Sequence, residues 1–364
     1  MKRNILLLFT FFACITVQGQ TPVRLVDLRS EHLDRPIGLD NPVPRLSWRM
    51  EDGRQGAVQT SWRIVVDEDS LNVVNGCGRM WDSGKNDSRN QLVAYAGKKL
   101  QPFTRYYWKV ICSDMEYKET ASPVSYFETG MMGMQHWQGA WIGDGKDIHY
   151  GSAPYFRKEF KTGKKVKSAR AYIAAAGLYE LYINGEKIGD HCLAPLYTRF
   201  DRRNLYVAYD VTSQLQNGDN AIGVLLGNGW YNHQSKAVWD FDRAPWRNRP
   251  TFCLDLRITY TDGSVETIPT DLSWRTASGA ITFNSIYTGE HYDARLEQKG
   301  WSTPEFDDSK WRGVAYRSVP SSNVTAQQVH PIRNVKIFPA VSFRKVDELS
   351  LIHISEPTRH LRIS

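Results

Sequence analysis

The chain has 364 residues, of which 41% are hydrophobic and 12% aromatic, enough for two or three packed domains and too apolar for a disordered polypeptide. Of its formal net charge of +7, Lys2 and Arg3 supply two and the stretch from Leu349 supplies one, leaving +4 with no basic run. That pattern argues against nucleic acid as a partner, and the widely spaced Cys77, Cys112, Cys192 and Cys253, with no CxxC pair, argue against a zinc site.

The opening, MKRNILLLFTFFACITVQGQ, has a basic start at Lys2 and Arg3, an apolar run from Ile5 to Val17, and small residues up to Gly19. This is the form of a secretory signal peptide over residues 1–19, with Gln20 as the first mature residue and a periplasmic or extracellular destination. Apolar residues continue beyond Cys14, so Phe11-Phe12-Ala13-Cys14 is a poor lipoprotein box. No other stretch approaches the ~20 apolar residues of a membrane helix, and no transmembrane segment is expected.

From Val23 onward short alternating segments are separated by turn residues: RLSWRM, TSWRIVVD, QLVAYAG, TRYYWKVICSD and PVSYFETG. In TRYYWKV, Tyr106, Trp108 and Val110 alternate with Arg105, Tyr107 and Lys109, the period of a strand with one buried face. Such a rhythm over ~100 residues predicts an immunoglobulin-like or fibronectin-like sandwich, residues 20–130. The Gly- and Met-rich passage GMMGMQHWQGAWIGDGK has no regular period and reads as a linker, 131–152.

A second β-domain is expected over residues 153–335. YELYINGEKIGD alternates into Asn184-Gly185, a dipeptide suited to a two-residue hairpin, and YTDGSVETI repeats the device at Asp262-Gly263. Between them lie a short turn of helix at Asp210 to Leu215 and a fully apolar strand, Ala221 to Leu226. No segment keeps a 3.6-residue apolar period for four turns, so the fold class is all-β.

Two groups of residues invite a chemical reading. Glu290 and Asp293, in IYTGEHYDARLEQKGW, are a carboxylate pair of the kind that cleaves glycosidic bonds. On an extended chain, however, positions three apart point to opposite faces, and an exposed turn or pairing with Arg295 or Lys299 explains them more simply. No catalytic residue is therefore assigned. Sugar contacts are better sought in LGNGWYNHQSKAVWDFDRAPWRNRP, where Asn228, Trp230, Trp239, Asp240, Asp242, Arg243 and Trp246 combine flat rings with polar groups. The competing reading makes Trp230 a core residue and pairs Asp242 with Arg243 or Arg247.

The motifs LRSEHLDRPIGLDNPVPRLSW, YYWKV, AAGLYELYINGEKIGDHCLAPLYTRFDRRNLYVAYDVT, LLGNGWY and YTGEHYDAR, in this order, resemble the N-terminal half of bacterial α-L-rhamnosidases of glycoside hydrolase family seventy-eight. The resemblance runs from about Val23 to about Val346. It implies a fibronectin-like sandwich, then a jelly-roll similar to rhamnose-binding modules, then a further β-domain of which residues 336–348 would be the start. The family's catalytic part is a helical (α/α)₆ barrel, of which this chain shows no helix. The resemblance thus implies the ancillary region of an exported enzyme that releases terminal α-L-rhamnose from glycans by inversion, inactive by itself. A stand-alone carbohydrate-binding protein and the ancillary region of another exo-glycosidase are the alternatives. No cofactor is required, although modules of this kind can grip sugar hydroxyls through calcium, for which Asp201, Asp240 and Asp242 are the candidate ligands. Residues 349–364, LSLIHISEPTRHLRIS, break the register of AVSFRKV and resemble translated sequencing adapter, so this tail is expected to add nothing to the fold.

Overall fold

The structure, a computed structural model, describes residues 22–236, 239–345 and 351–355. The signal peptide expected at residues 1–19 lies outside them. The described chain divides into two compact units, one of residues up to 36 and 42–128, the other of residues 37–41 and from 129 onward.

The first unit holds eight strands: β1 (Arg24–Ser30), β2 (Arg45–Glu51), β3 (Ser61–Asp67), β4 (Trp81–Asp82), β5 (Leu92–Ala94), β6 (Arg105–Ser113), β7 (Glu119–Ala121) and β8 (Ser125–Glu128). They form a three-stranded sheet, β1-β2-β5, and a five-stranded sheet, β4-β3-β6-β7, with β8 also on β6. As the alternation requires, Tyr106, Trp108 and Val110 are buried, and Trp48 of one sheet meets Trp62 of the other edge to face at 6.1 Å. Lys109, expected on the wet face, is buried instead. Its Nζ donates to the carbonyl of Val74 at the end of the single short helix α1 (Ser70–Val74), which satisfies the charge where the helix lies over β6.

The second unit is a two-sheet sandwich. Its strands are β9 (Ile142–Gly143), β10 (Pro154–Thr162), β11 (Val166–Ala176), β12 (Leu178–Ile183), β13 (Glu186–Lys187), β14 (Asn204–Asp210), β15 (Gly218–Gly227), β16 (Thr251–Tyr260), β17 (Val265–Pro269), β18 (Arg275–Ser278), β19 (Ile281–Ser285), β20 (Gly289–Tyr292), β21 (Arg312–Gly313), β22 (Ala315–Tyr316) and β23 (Val324–Ala326). One sheet runs β13-β12-β15-β10-β18-β21 and the other β22-β9-β16-β11-β14-β23, with β17 also on β16. Phe156, Leu181, Ile222 and Val224 of the first sheet and Ile173, Val207, Phe252 and Leu254 of the second fill the space between them. Phe156 and Phe252 touch across it at 5.0 Å.

Asn184 and Gly185 both take positive φ, +50° and +86°, as the two-residue turn demands. At Asp262-Gly263 only the glycine does, and Tyr260 pairs with Ser264 around a three-residue loop. This is the bulged three-residue hairpin, which needs one left-handed position instead of two. The expected helical turn near Asp210 is a 3₁₀ turn, Thr212–Gln214, and Ala221 to Leu226 are strand throughout.

The passage expected to be a linker is packed into the second unit. Met131 is buried, its N–H donating to the Tyr206 hydroxyl, and the Met132 N–H donates to Asp40. Further on, Gln138 and Gly139 donate their N–H groups to the two oxygens of buried Asp255, at 2.8 and 2.7 Å. Irregular sequence here signals side-chain carboxylates replacing a strand ladder. The chain beyond also departs from expectation: β24 (Ala340–Lys345) pairs antiparallel with β25 (Leu351–Ser355), a stretch expected to take no part in the fold. Among the described residues this hairpin joins no other strand. Alternating β-prone residues in LIHIS suffice for such pairing.

Candidate functional site

The loop between β15 and β16 carries the predicted sugar contacts and folds around an aromatic cluster. Trp230 lies 5.2 Å from Phe241, 5.4 Å from Tyr287 and 6.0 Å from Tyr197, with its ring nearly parallel to His233. Phe241 in turn touches Trp239 and Trp246, each at 6.3 Å, so the three tryptophans are brought together through one phenylalanine. Trp230 and Trp246 are half-buried, the latter beneath the Arg199 guanidinium at 5.8 Å, whereas Trp239 is 74% exposed. Asp240 and Arg243 are exposed. Asp242 is half-buried, and its carbonyl accepts from Arg247.

Asn228 does not face solvent. It is enclosed, donating its N–H and its Nδ2 to Asn284 and accepting from Asn232, and so ties the loop to β19. His233 is fully buried against Trp230 and Tyr287. Burial lowers its pKa against the pull of Asp242. The three aspartates proposed for calcium are not assembled: Asp201 is held by Arg199 at 2.9 Å, and among the described residues no three His, Cys, Asp or Glu side chains gather as a metal group would need.

A groove of about 600 Å³ opens beside this loop, over the outer face of the six-stranded sheet. Strand register explains its floor. Across β12, β15 and β10 the outward residues align as Glu180, Leu225 and Tyr155 in one row and Tyr182, Gly223 and Arg157 in the next. Gly223 leaves a flat place on the sheet which the Trp301 ring fills: a Cβ there would stand 2.5 Å from Trp301. Trp301 stacks on Tyr155 at 4.5 Å and meets Tyr182 edge-on at 5.2 Å. Leu193, held at φ +53° and 55% exposed, forms part of the wall, as do Glu290 and Tyr292 of the β19–β20 hairpin.

Glu290 therefore faces a groove, but without its sequence partner. Asp293 forks onto Arg295 at 2.9 and 2.6 Å and caps a 3₁₀ turn, Ala294–Leu296. The second carboxylate of the groove, Glu180, accepts from the Tyr182 hydroxyl at 2.7 Å and pairs with Lys187. Neither Glu180 nor Glu290 is buried, whereas a general acid is normally kept protonated by burial. The arrangement suits binding: apolar ring surfaces with hydrogen-bond acceptors beside them. Sequence reading missed Tyr155, Tyr182 and Trp301 because only the fold brings them together; the outward alternation of Leu178, Glu180 and Tyr182 was the available signal.

Comparison with known proteins agrees with both units. Residues 25–133 match the Rha78A-like N-terminal immunoglobulin domain, and residues 164–336 the alpha-L-rhamnosidase N-terminal domain. An alpha-L-rhamnosidase of Formosa agariphila is 33% identical over 92% of this chain, and the chain spans 38% of that relative's length. The solved alpha-L-rhamnosidase of Dictyoglumus thermophilum superposes with a TM-score of 0.82 at 36% identity, covering 91% of this chain and 38% of that one. The Streptomyces avermitilis enzyme, solved with L-rhamnose, shares the fold at a TM-score of 0.82 and 24% identity, covering 89% of this chain and 48% of that one. The chain thus carries, in order, a Rha78A-like N-terminal immunoglobulin domain and an alpha-L-rhamnosidase N-terminal domain, and it matches the N-terminal region of the α-L-rhamnosidases.

Proposed function

We propose that this chain is the ancillary N-terminal region of an exported α-L-rhamnosidase, which removes terminal α-L-rhamnose from glycans with inversion of configuration. The observation that carries the reading is the tandem of two family domains in the family's order, with 33% identity to one relative over 92% of the chain. In this reading the described residues bind or brace and do not hydrolyse. Their longest helix has five residues, so they contain no helical barrel, and they offer no buried carboxylate pair in a groove. None of their helices is long and apolar enough to cross a membrane, which is compatible with export. The aromatic loop from Trp230 to Trp246 is the proposed contact with a rhamnose-containing glycan, Trp239 being the exposed ring.

The coding sequence that follows Val346 in the source genome tests this reading. Long amphipathic helices with acidic loops between them support it. A stop codon would leave a stand-alone carbohydrate-binding protein, and an α/β barrel another exo-glycosidase.

A further inference from the structure

We infer that the groove over the outer face of the six-stranded sheet is a second carbohydrate site, distinct from the aromatic loop, and that it takes a neutral glycan segment and rejects anionic ones. For the class of ligand, the inference rests on the reading of this chain as part of a glycan-active protein. For the preference within that class it rests on the groove alone.

The volume of about 600 Å³ lies within the range of small-molecule sites, roughly 300–1,000 Å³. The apolar surface is placed where water meets it. Tyr292 is 53% exposed and Leu193 55% exposed, on a backbone whose positive φ leucine rarely adopts. Trp301, locked over Gly223 between Tyr155 and Tyr182, cannot turn away. A pyranose has an apolar face of C–H groups that covers such surfaces, and a ring of hydroxyls that must then find acceptors.

The charged lining is all carboxylate, and several of its other polar groups are already bonded: the Tyr182 hydroxyl donates to Glu180 and that of Tyr292 to Glu297. Asn284 spends its Oδ1 on the Asn228 N–H and its Nδ2 on the Gly151 carbonyl, and Ser285 is joined to Ser235. The charged groups that remain are Glu290, exposed on β20, and the lone pairs of Glu180 that Tyr182 and Lys187 leave open. No lysine or arginine lines the groove. A ligand can therefore donate hydrogen bonds, as vicinal hydroxyls do, while a uronate or sulfate group would enter beside the exposed charge of Glu290, Glu180 being already paired with Lys187, and would meet no lysine or arginine in the lining.

Calorimetric titration of the full chain tests the assignment. The probes are a neutral rhamnose-containing oligosaccharide, a neutral one without rhamnose, a uronate-bearing and a sulfated one of equal length, and an amino-sugar oligomer, each given to wild type, Glu290→Gln and Tyr292→Ala. Both substituted residues are exposed, and thermal melts confirm that the variants fold. The neutral rhamnose-containing ligand should bind with a Kd near ~10⁻⁴ to 10⁻³ M. Each variant should weaken it about fivefold or more. The anionic ligands should bind at least about tenfold more weakly than the neutral one, with the gap narrowing in Glu290→Gln and at high salt.

Neutral binding that both variants leave unchanged, anionic ligands bound as tightly as neutral ones, or no binding at all overturns the site, and tighter binding of the amino sugar overturns the neutral assignment. Rhamnose-containing ligand that survives both substitutions refutes the groove and spares the rhamnosidase reading. The rhamnose-free glycan bound equally well, and lost in both variants, supports the groove and counts against that reading.

Discussion

Asp255 is buried in the seven-stranded sheet, and desolvation raises its pKa from 3.8 to about 6 even though the Gln138 and Gly139 N–H groups pull the other way. A carboxyl whose folded pKa lies above its unfolded one favours the fold in its neutral form. That contribution is complete below pH 3.8 and is lost as pH rises through about 6. Between pH 4 and 7.5 the second unit should lose about 2 kcal/mol that Asp255→Asn does not lose, measurable by denaturant melts of both proteins across that range. Burial raises the pKa of Asp40 as well, so its effect has the same sign.

The tryptophans divide in a similarly testable way. Trp230→Ala, removing a ring packed among four aromatic neighbours, should cost ~3 kcal/mol of stability. Trp239→Ala should cost less than ~0.5 kcal/mol, because the ring is 74% exposed, while weakening sugar binding if that ring stacks on the ligand. Equal losses of stability would contradict this division. From sequence, Trp230 and Asn228 both looked like sugar contacts, with core packing as the competing reading for Trp230; an asparagine that closes a loop and one that grips a sugar look the same until Asn284 and Asn232 are seen beside it.

At the scale of elements, β15 shows how a strand serves two purposes. Its inward residues Ile222 and Val224 join the core, while outward Gly223 makes room for Trp301. Gly223→Ala should displace that ring, cost ~1–3 kcal/mol, and change the near-ultraviolet circular dichroism of the stacked aromatics. An unchanged spectrum would mean that the groove floor does not depend on the glycine. The strand itself was legible, because AIGVLL is an apolar run of strand length, and so was the Asn184-Gly185 turn. The packed passage from Met131 to Gly143 was not. Its order comes from Asp40, Tyr206 and Asp255, which are remote in sequence, and no local period records such bonds. For the same reason, the stretch from Ile286 to Trp301 drew attention through Glu290 and Asp293, when its ring at the far end shapes the groove.

For the whole molecule, the all-β character and the two sandwiches were legible because alternation and turn residues repeat along nearly the whole chain, and the absence of a long helical period agrees with described helices of at most five residues. Function was legible only through motifs whose order resembled a family, since among the described residues the groove holds no buried carboxylate pair that sequence could announce. In the function proposed above, these two domains serve a rhamnosidase without themselves cleaving. The direct measurement is release of the aryl group from an aryl α-L-rhamnoside by the purified chain, followed over many hours at micromolar protein. No release above the protein-free blank is expected; turnover that persists through purification and disappears in Glu290→Gln would show that these domains cleave.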